Sequence, residues 1–494
     1  MIVNSLFKDC KKKIVMRVFR TVRFCILLLF SAGQGIAQKS MDSLYVLPDS
    51  TTAFSLDELY RVILEFHPVV NQAGLLGEAA RQELRLARGN FDPTVNLNID
   101  RKEFDDKKYY NRLDGYVAVP TWFPVNPKAG IVRTTGEFLD PSETIPGDHQ
   151  LYAGISVPIG RGLFTDERRA AVQKAQLFQT MAQAEQIKMI NGILLKAAKD
   201  YWEWYRAYYQ FRLLNQATSI ANALFERVRL AERMGEAAAI DTVQAKVILQ
   251  TRLIERQEAL LEFQNAGIAL SNYLWDNEMK PLDLSLRIVP VLTTEDRLRL
   301  SLQTAEDLTQ MAIANHPDMV KVRTKLEQLE VEGRLAREYL KPRLDLSYAV
   351  LSIPDPVEIR PGHDFKFGLD FSIPVFLRKE RSKVAMNNLD ISNTQFQQNL
   401  MQREISNEIT AVFNQLTNTS AIIAQVGNMV DLYSRILQAE FINLENGESD
   451  LFKINLQQEK LIQSQVKFLK LDSDYQKLKA QLYWTAGVRN LNFN

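Results

Sequence analysis

Two histidines, each followed directly by proline, are the side chains in this sequence best suited to binding a metal ion. His67-Pro68 and His316-Pro317 occupy corresponding places in two similar stretches, and neither pair has a cysteine or an acidic cluster at ligand spacing. The residue before a proline is biased away from the helical conformation. We therefore interpret both pairs as breaks or bends in helices, and the sequence predicts no metal site.

Other patterns that would carry chemistry are weak. Gly160-Arg161-Gly162 lacks the strand, turn and helix that surround a phosphate-binding loop. No Ser/His/Asp arrangement and no isolated carboxylate pair stands out, so the sequence predicts neither an enzyme nor a cofactor. A cluster of aromatic residues is interpreted as packing between helices. Its members are Trp202, Trp204, Tyr205, Tyr208 and Tyr209.

The first 37 residues have the composition of a secretory signal peptide. Basic residues precede the short apolar run 24–30, and small residues lead to a cleavage site expected after Ala37. Both cysteines, Cys10 and Cys25, lie in this segment, so we expect a mature chain without disulfides or thiol nucleophiles. The formal net charge is only +1 and becomes slightly negative without the signal peptide, which predicts no nucleic-acid partner.

The rest of the sequence is a duplication of a half-molecule. Residues 59–97 and 308–346 align without a gap, and the run Arg-Leu-Ala-Arg occurs in both, at 85–88 and 334–337. A repeat this long exceeds the roughly 20–50 residues of a solenoid unit. We therefore predict an object with internal pseudo-symmetry, such as a ring or a tube.

Proline placement predicts where the long helices lie. The blocks 159–280 and 375–494 contain no proline and are rich in helix-forming residues. Each block holds one Gly-Glu pair, Gly235-Glu236 or Gly447-Glu448, which is a turn signal. Each block is therefore predicted to form two long helices joined at its glycine, and helices of this length must pack as coiled coils.

Four strand-like segments lie between the shorter helices and the long ones. They are residues 94–100, 151–158, 344–348 and 365–374. Their alternation of apolar and polar residues is the weak signature of an outer-membrane β-strand. Proline stops a helix and tolerates the end of a strand, so it suits the junctions between the two. The predicted junctions are Pro93, Pro158, Pro342 and Pro374.

The first copy carries an insert at about 100–150 that the second copy lacks. We interpret it as an elaborated surface loop, because it contains several turn prolines. The alternative is that residues 116–123 and 128–135 pair as an additional hairpin in a barrel wall. Since the smallest membrane barrels have about eight strands, four strands per chain require that several chains share one barrel.

In the order of these elements the sequence resembles the TolC family of outer-membrane efflux and secretion channels. The resemblance covers residues 55–490: a short helix with His-Pro where the family usually has Asn-Pro, a proline-flanked hairpin, a long helix, a glycine turn and a second long helix, twice over. Residues 235–245 are similar to the family's turn motif, with Gly235, Asp241 and Ala245 in register.

The resemblance implies a mainly α fold with a small β part. Duplicated long-helix coiled-coil hairpins would form an α-barrel tunnel, joined to a β-barrel that is completed by trimerisation with four strands per chain. The expected organisation is a signal peptide (1–37), an N-terminal extension (38–54), a first repeat (55–280) with its extracellular insert, an equatorial linker (281–303) and a second repeat (304–494).

The implied function is a passive, gated conduit across the outer membrane and periplasm of a Gram-negative cell. It would be a homotrimer in outer-membrane lipid, serving a tripartite efflux pump or a type I secretion system. Its partners would be a periplasmic adaptor (membrane fusion) protein and an inner-membrane RND or ABC transporter. The alternative is a coiled-coil scaffold of the periplasm or cell surface that forms no channel.

The glycine turns would lie at the periplasmic tip, where the family closes its pore. The candidate gate residues are Gly235, Asp241, Gly447, Asp450 and Lys453. The family's acidic pore-narrowing positions correspond here to Lys453 and Leu456. Asp241 matches a family gate residue, whereas its usual tyrosine and arginine partners fall on Leu444 and Ser449. A second interpretation of Asp241, compatible with the first, is a helix N-cap.

Overall fold

The computed structural model describes residues 51–291, 304–354 and 357–487. The predicted signal peptide, the N-terminal extension up to residue 50 and residues 292–303 of the expected linker lie outside the described residues. Within these ranges no helix has both the length and the apolar character needed to cross a membrane.

The described part of the chain contains long helices in two matching sets. The first set is α1 (Leu56–Phe66), α2 (Pro68–Gly89), α3 (Glu167–Met234) and α4 (Ala239–Ser271). The second set is α5 (Ala305–Asn315), α6 (Pro317–Glu338), α7 (Arg378–Glu445) and α8 (Leu451–Thr485). The helices α3 and α7 have 68 residues each, which is roughly 100 Å. The long helical hairpins predicted from the two proline-free blocks are confirmed.

The strands form two sheets. They are β1 (Thr52–Phe54), β2 (Thr94–Phe104), β3 (Lys107–Ala118), β4 (Asn126–Thr135), β5 (Gln150–Pro158), β6 (Ile288–Pro290), β7 (Arg343–Ser352) and β8 (Phe365–Ser372). A short parallel pair, β1 and β6, is fixed to the middle of α3, because the Tyr201 hydroxyl lies 2.9 Å from the carbonyl oxygens of both Phe54 and Val291 and shares its proton between them. The other strands form one antiparallel sheet in the order β2-β3-β4-β5-β7-β8.

This sheet has six strands, and the prediction of four strands per chain was wrong. The insert does not form a surface loop: it supplies β3 and β4, which pair with Tyr116 opposite Gly130. Leu113 and Val117 alternate with polar residues along β3, so one face of this strand is apolar. The turn prolines that favoured a loop include Pro120 and Pro124, which lie between the two strands.

All four junction prolines lie at one end of the sheet. Pro93 directly precedes β2, Pro158 ends β5, Pro342 directly precedes β7 and Pro374 closely follows β8. The helices therefore all attach at this end. The connections β2–β3, β4–β5 and β7–β8 lie at the opposite end, which we call the far end of the sheet.

The long helices pack side by side in a fixed order. Beside the sheet the order is α2-α3-α6-α7, and beyond the middle of the molecule it is α4-α3-α8-α7. Apolar residues from three helices close the contact between the two hairpins near their turns: Leu224 of α3, Leu437 of α7 and Ile454 of α8. In each layer α7 is therefore at one side of the row, and α2 or α4 is at the other side.

Each His-Pro pair separates two helices and caps the second one. The Nδ1 atom of His67 accepts a hydrogen bond from the Val69 N–H at 3.1 Å, and that of His316 accepts one from the Asp318 N–H at 3.2 Å. The proline at the first helical position has no N–H to satisfy. The helix breaks predicted at both pairs are confirmed, and no cluster of metal-ligating side chains occurs among the described residues.

The two caps make stability sensitive to mild acid. Burial lowers the pKa of His67, partly opposed by a hydrogen bond to the Asn272 backbone; burial also lowers the pKa of His316, partly opposed by Asp318. The unfolded chain then takes up protons first as the pH falls below about 6.5, so the free energy of unfolding decreases from there down to the lowered pKa values. A protonated Nδ1 also cannot accept the capping bond.

We expect the variant His67→Asn/His316→Asn to remove this pH dependence, because asparagine caps helices without titrating. Thermal unfolding followed by circular dichroism at pH 7 and pH 5 measures it. The midpoint of the wild-type protein should fall at pH 5, and that of the variant should stay nearly constant. Equal decreases in both proteins would show that the caps are not responsible.

Candidate functional site

The two faces of the six-stranded sheet differ in chemistry. One register row crosses every strand through apolar residues: Val95, Val117, Ala129, Ala153, Val350 and Phe365. At the edges of the sheet this face is open to the surroundings, since Leu97 of β2 is 62% exposed and Phe367 of β8 is 57% exposed. An apolar surface of this extent indicates contact with lipid or with another protein.

The opposite face is polar and concave. Residues from all six strands line a single cavity of about 710 Å³. Its charged lining consists of Asp100, Arg112, Asp114, Lys128 and Lys366. The Tyr152 hydroxyl donates to the Asp114 carboxylate at 2.8 Å, and the Lys128 ammonium group lies 3.5 Å from the centre of the Tyr116 ring. Apolar outside and polar inside is the arrangement of a membrane β-barrel wall around water.

The two helical hairpins end in similar turns. Gly235 ends α3 with φ of 79°, and the Glu236 N–H donates to the Ala231 carbonyl oxygen at 2.9 Å. Gly447 follows α7 with φ of 76°, and the Glu448 N–H donates to the Asn443 carbonyl oxygen at 2.8 Å. These are left-handed C-terminal caps, which favour glycine because other residues are strained there.

The two aspartates predicted for the gate act locally as helix caps. Asp450 accepts a hydrogen bond from the Lys453 N–H at 2.8 Å at the start of α8. Asp241 accepts one from the Ala238 N–H at 3.2 Å at the start of α4. The structure thus brings Asp450 and Lys453 together and places Asp241 in the other turn, and the Lys453 side chain is exposed. A gate role for these residues stays a prediction.

A buried ion pair between the two hairpins was not predicted from the sequence. The Arg252 side chain of α4 is 2% exposed and contacts Glu255 of its own helix at 2.7 Å and Glu459 of α8 at 2.5 Å. Burial raises the pKa of Glu459, but the hydrogen bonds from Arg252 and Gln463 outweigh it and hold the pKa below its usual range. Glu459 is therefore ionised at neutral pH.

The sequence does contain a signal for this site. Arg252 lies one heptad after Ala245 and one heptad before Ala259, and both alanines are buried. An arginine in a row of small core residues needs an acidic partner nearby.

A matching ion pair lies within the first hairpin. Arg206 of α3 contacts Glu203 of its own helix and Glu262 of α4. Both arginines therefore have one glutamate three residues away and one on another helix. Arg252 itself contacts a glutamate of the second hairpin, whereas both glutamates of Arg206 lie in the first hairpin. Glu203 in turn pairs with Lys477 of α8 at 2.6 Å, which is a second ionic contact between the hairpins.

This chain resembles known proteins in its fold. No protein-family model and no curated protein matches the sequence. Among solved structures, the outer membrane protein VceC of Vibrio cholerae is similar, with 16% identity, a TM-score of 0.60 and coverage of 87% of this chain and 96% of that chain.

Two further structures are similar to the same extent. The CmeC outer membrane channel of Campylobacter jejuni has 14% identity, a TM-score of 0.62 and coverage of 93% of each chain. The open state of the MtrE outer membrane channel of Neisseria gonorrhoeae has 16% identity, a TM-score of 0.55 and coverage of 89% of this chain and 94% of that chain. The chain therefore has the TolC-like fold of these channels. The mainly α fold class with a small β part predicted from the sequence is confirmed, apart from the number of strands per chain.

Proposed function

We propose that this protein is an outer-membrane channel that conducts solutes passively across the outer membrane and the periplasm. The observation that carries the proposal is the two-faced sheet, with an apolar outer face and a charged, concave inner face that lines a cavity. A face in contact with lipid must be apolar, and a face that lines a water-filled channel is polar. A coiled-coil scaffold that stays outside the membrane would gain nothing from exposing the phenylalanines of β8.

The sheet needs further copies of the chain to become a channel. Its edge strands, β2 and β8, have one side without a partner in the chain, and unpaired backbone groups in lipid cost several kcal/mol each. Three copies of a six-stranded sheet give eighteen strands, instead of the twelve expected from the sequence. Barrels of about 16–18 strands enclose an aqueous channel.

Apolar stripes on the outermost helices favour the same assembly. On α4 the stripe follows a heptad repeat and remains 55–68% exposed; its residues are Ile240, Val247, Ile254, Leu261 and Ile268. On α7, Leu389 and Phe396 lie one heptad apart and are 71% exposed each. Since α4 and α7 are at opposite sides of the row, α7 of one copy would pack on α2 and α4 of the next in a closed head-to-tail ring.

The conduit would close at its glycine turns. The gate residues proposed there are Gly235, Asp241, Gly447, Asp450 and Lys453, and the Arg252–Glu459 pair would hold the two hairpins together in the closed state. Opening would occur when an adaptor protein and an inner-membrane RND or ABC transporter engage the turns. This assembly would be a tripartite efflux pump or a type I secretion system, with the energy supplied by the transporter.

The proposal is tested by reconstituting residues 38–494 into a planar lipid bilayer and recording single-channel currents. A closed conduit should give small, uniform conductance steps that grow when adaptor is added. If folded protein extracted from membranes gives no steps either alone or with adaptor, the coiled-coil scaffold replaces the channel.

A further inference from the structure

The β4–β5 connection, residues 136–149, lies at the far end of the sheet and folds over its concave face. Three of its residues, Ser142, Thr144 and Ile145, line the same cavity as the strand residues Arg112 and Lys366. The loop therefore occupies space that the concave face would otherwise leave open to solvent.

Both ends of the loop are attached to neighbouring strands. At its start, the Phe138 N–H donates to the Tyr109 carbonyl oxygen at 3.1 Å, and the two rings lie 4.9 Å apart. At its end, the Arg133 guanidinium contacts the Asp148 carboxylate at 2.9 Å. These contacts fix both ends of the loop to the sheet, and Ser142, Thr144 and Ile145 between them line the cavity.

The middle of the loop is also ordered. Asp140 caps a single 3-10 turn, Pro141–Glu143, and accepts hydrogen bonds from the Ser142 N–H at 2.9 Å and the Ser142 hydroxyl at 2.6 Å. These bonds lower the pKa of Asp140, and the charge of Arg112 on the concave face lowers it further. The loop thus presents an ionised carboxylate near a strand cation.

The other far-end connections are different. The β2–β3 connection is a tight turn at Asp105 and Asp106, both with positive φ. The β7–β8 connection spans residues 353–364, and none of its described residues lines the cavity. Within the described chain, residues 136–149 are therefore the far-end segment that enters the concave side.

We propose that the β4–β5 loop is a constriction at the extracellular mouth of the channel, separate from the glycine turns. The inference rests on the proposed function, since only in a barrel does the concave face become a lumen. One loop from each copy would narrow the mouth, and the loop would exclude large external polar molecules while small hydrated solutes pass. The mixed charges of Arg112, Lys128 and Asp114 would line the remaining opening.

Cysteine labelling on intact cells tests the constriction without involving the glycine turns. Ser347→Cys places a thiol on the cavity wall in β7, and Asp106→Cys places one in the external β2–β3 turn. Because both natural cysteines lie in the predicted signal peptide, no other thiol is expected in the mature chain. Each variant is treated with a small maleimide and with a maleimide carrying a large polyethylene glycol chain.

The matched comparison is between two shortened loops. In one variant residues 139–147 are replaced by two glycines, and in the control residues 357–362 of the β7–β8 connection are replaced in the same way. We expect the large reagent to label Ser347→Cys slowly in the intact protein and in the control. Shortening the β4–β5 loop should raise the rate at which the large reagent labels Ser347→Cys to the rate for Asp106→Cys. The small reagent should label every variant.

The outcomes separate the two proposals. If the large reagent reaches Ser347→Cys equally fast with and without the loop, there is no constriction. If Asp106→Cys itself stays unlabelled on intact cells that contain the folded protein, the outer-membrane location fails, and the constriction fails with it.

Discussion

Replacing Arg252 with alanine is expected to open the periplasmic end of the channel and to raise its single-channel conductance at neutral pH. The guanidinium is 2% exposed and is the ionic link between α4 of the first hairpin and Glu459 of the second. Hydrogen bonds to charged groups contribute about 1.5–3 kcal/mol each to stability. Because Glu459 is partly exposed, the bond between Arg252 and Glu459 should contribute an amount near the lower value. Since about 1.4 kcal/mol is a tenfold change in an equilibrium, the open fraction should increase by about tenfold or more.

The control is Arg206→Ala, because Arg206 has the same set of partners within one hairpin. It should reduce stability without changing conductance, since the Arg252–Glu459 and Lys477–Glu203 pairs between the hairpins both remain. Glu459→Gln should behave like Arg252→Ala, because it removes the charge and preserves the shape of the partner. Equal conductance in Arg252→Ala and Arg206→Ala would contradict a closed state held by the contact between the hairpins.

The variant Leu389→Glu/Phe396→Glu is expected to lose trimerisation. Both side chains are 71% exposed in the single chain and belong to the α7 stripe that would face the next copy. Burying a leucine or phenylalanine contributes about 1.5–3 kcal/mol, and a buried glutamate without a partner adds a further cost. Three interfaces in a ring lose this contribution at the same time, so we expect monomers by native mass spectrometry or light scattering in detergent.

Gln395→Glu is the matched control, since it adds a charge at a neighbouring exposed position on the polar side of α7. It should leave the trimer intact. Far-ultraviolet circular dichroism of both variants checks that the helices are retained. A trimer that survives Leu389→Glu/Phe396→Glu would exclude the α7 stripe as the interface.

The sequence predicted the features of this fold that local chemistry determines. The turns at Gly235 and Gly447 were predictable, because a glycine in a long helix-forming block marks the place where the chain reverses. The breaks at His67 and His316 were predictable from the prolines that follow them. The sequence did not predict that the imidazole of each histidine caps the helix that follows it, because this role depends on how the ring is packed.

The features that were missed depend on distant partners. Whether residues 107–135 form strands or a loop is decided by their pairing with β2 and β5. The sequence offered a hairpin of residues 116–123 and 128–135 only as an alternative to a loop, because of the nearby turn prolines. Arg252 was missed because Glu459 is 207 residues further along the chain, a separation at which a single sequence gives no pairing information. The sequence placed the candidate gate residues at the two turns. Whether they close a pore depends on how several copies of the chain are arranged around a common axis, which one sequence does not specify.

The added hairpin, β3 and β4, has a consequence for how the wall meets the helices. In the proposed trimer the layer next to the sheet has twelve helices, four from each copy. At about 9 Å per helix their ring has a perimeter of roughly 110 Å. Eighteen strands at about 4.8 Å, tilted by about 40°, also give roughly 110 Å, whereas twelve strands give only about 75 Å. In this proposed assembly the barrel and the tunnel would have the same circumference and join without a taper, so the narrow points of the conduit would lie at its two ends.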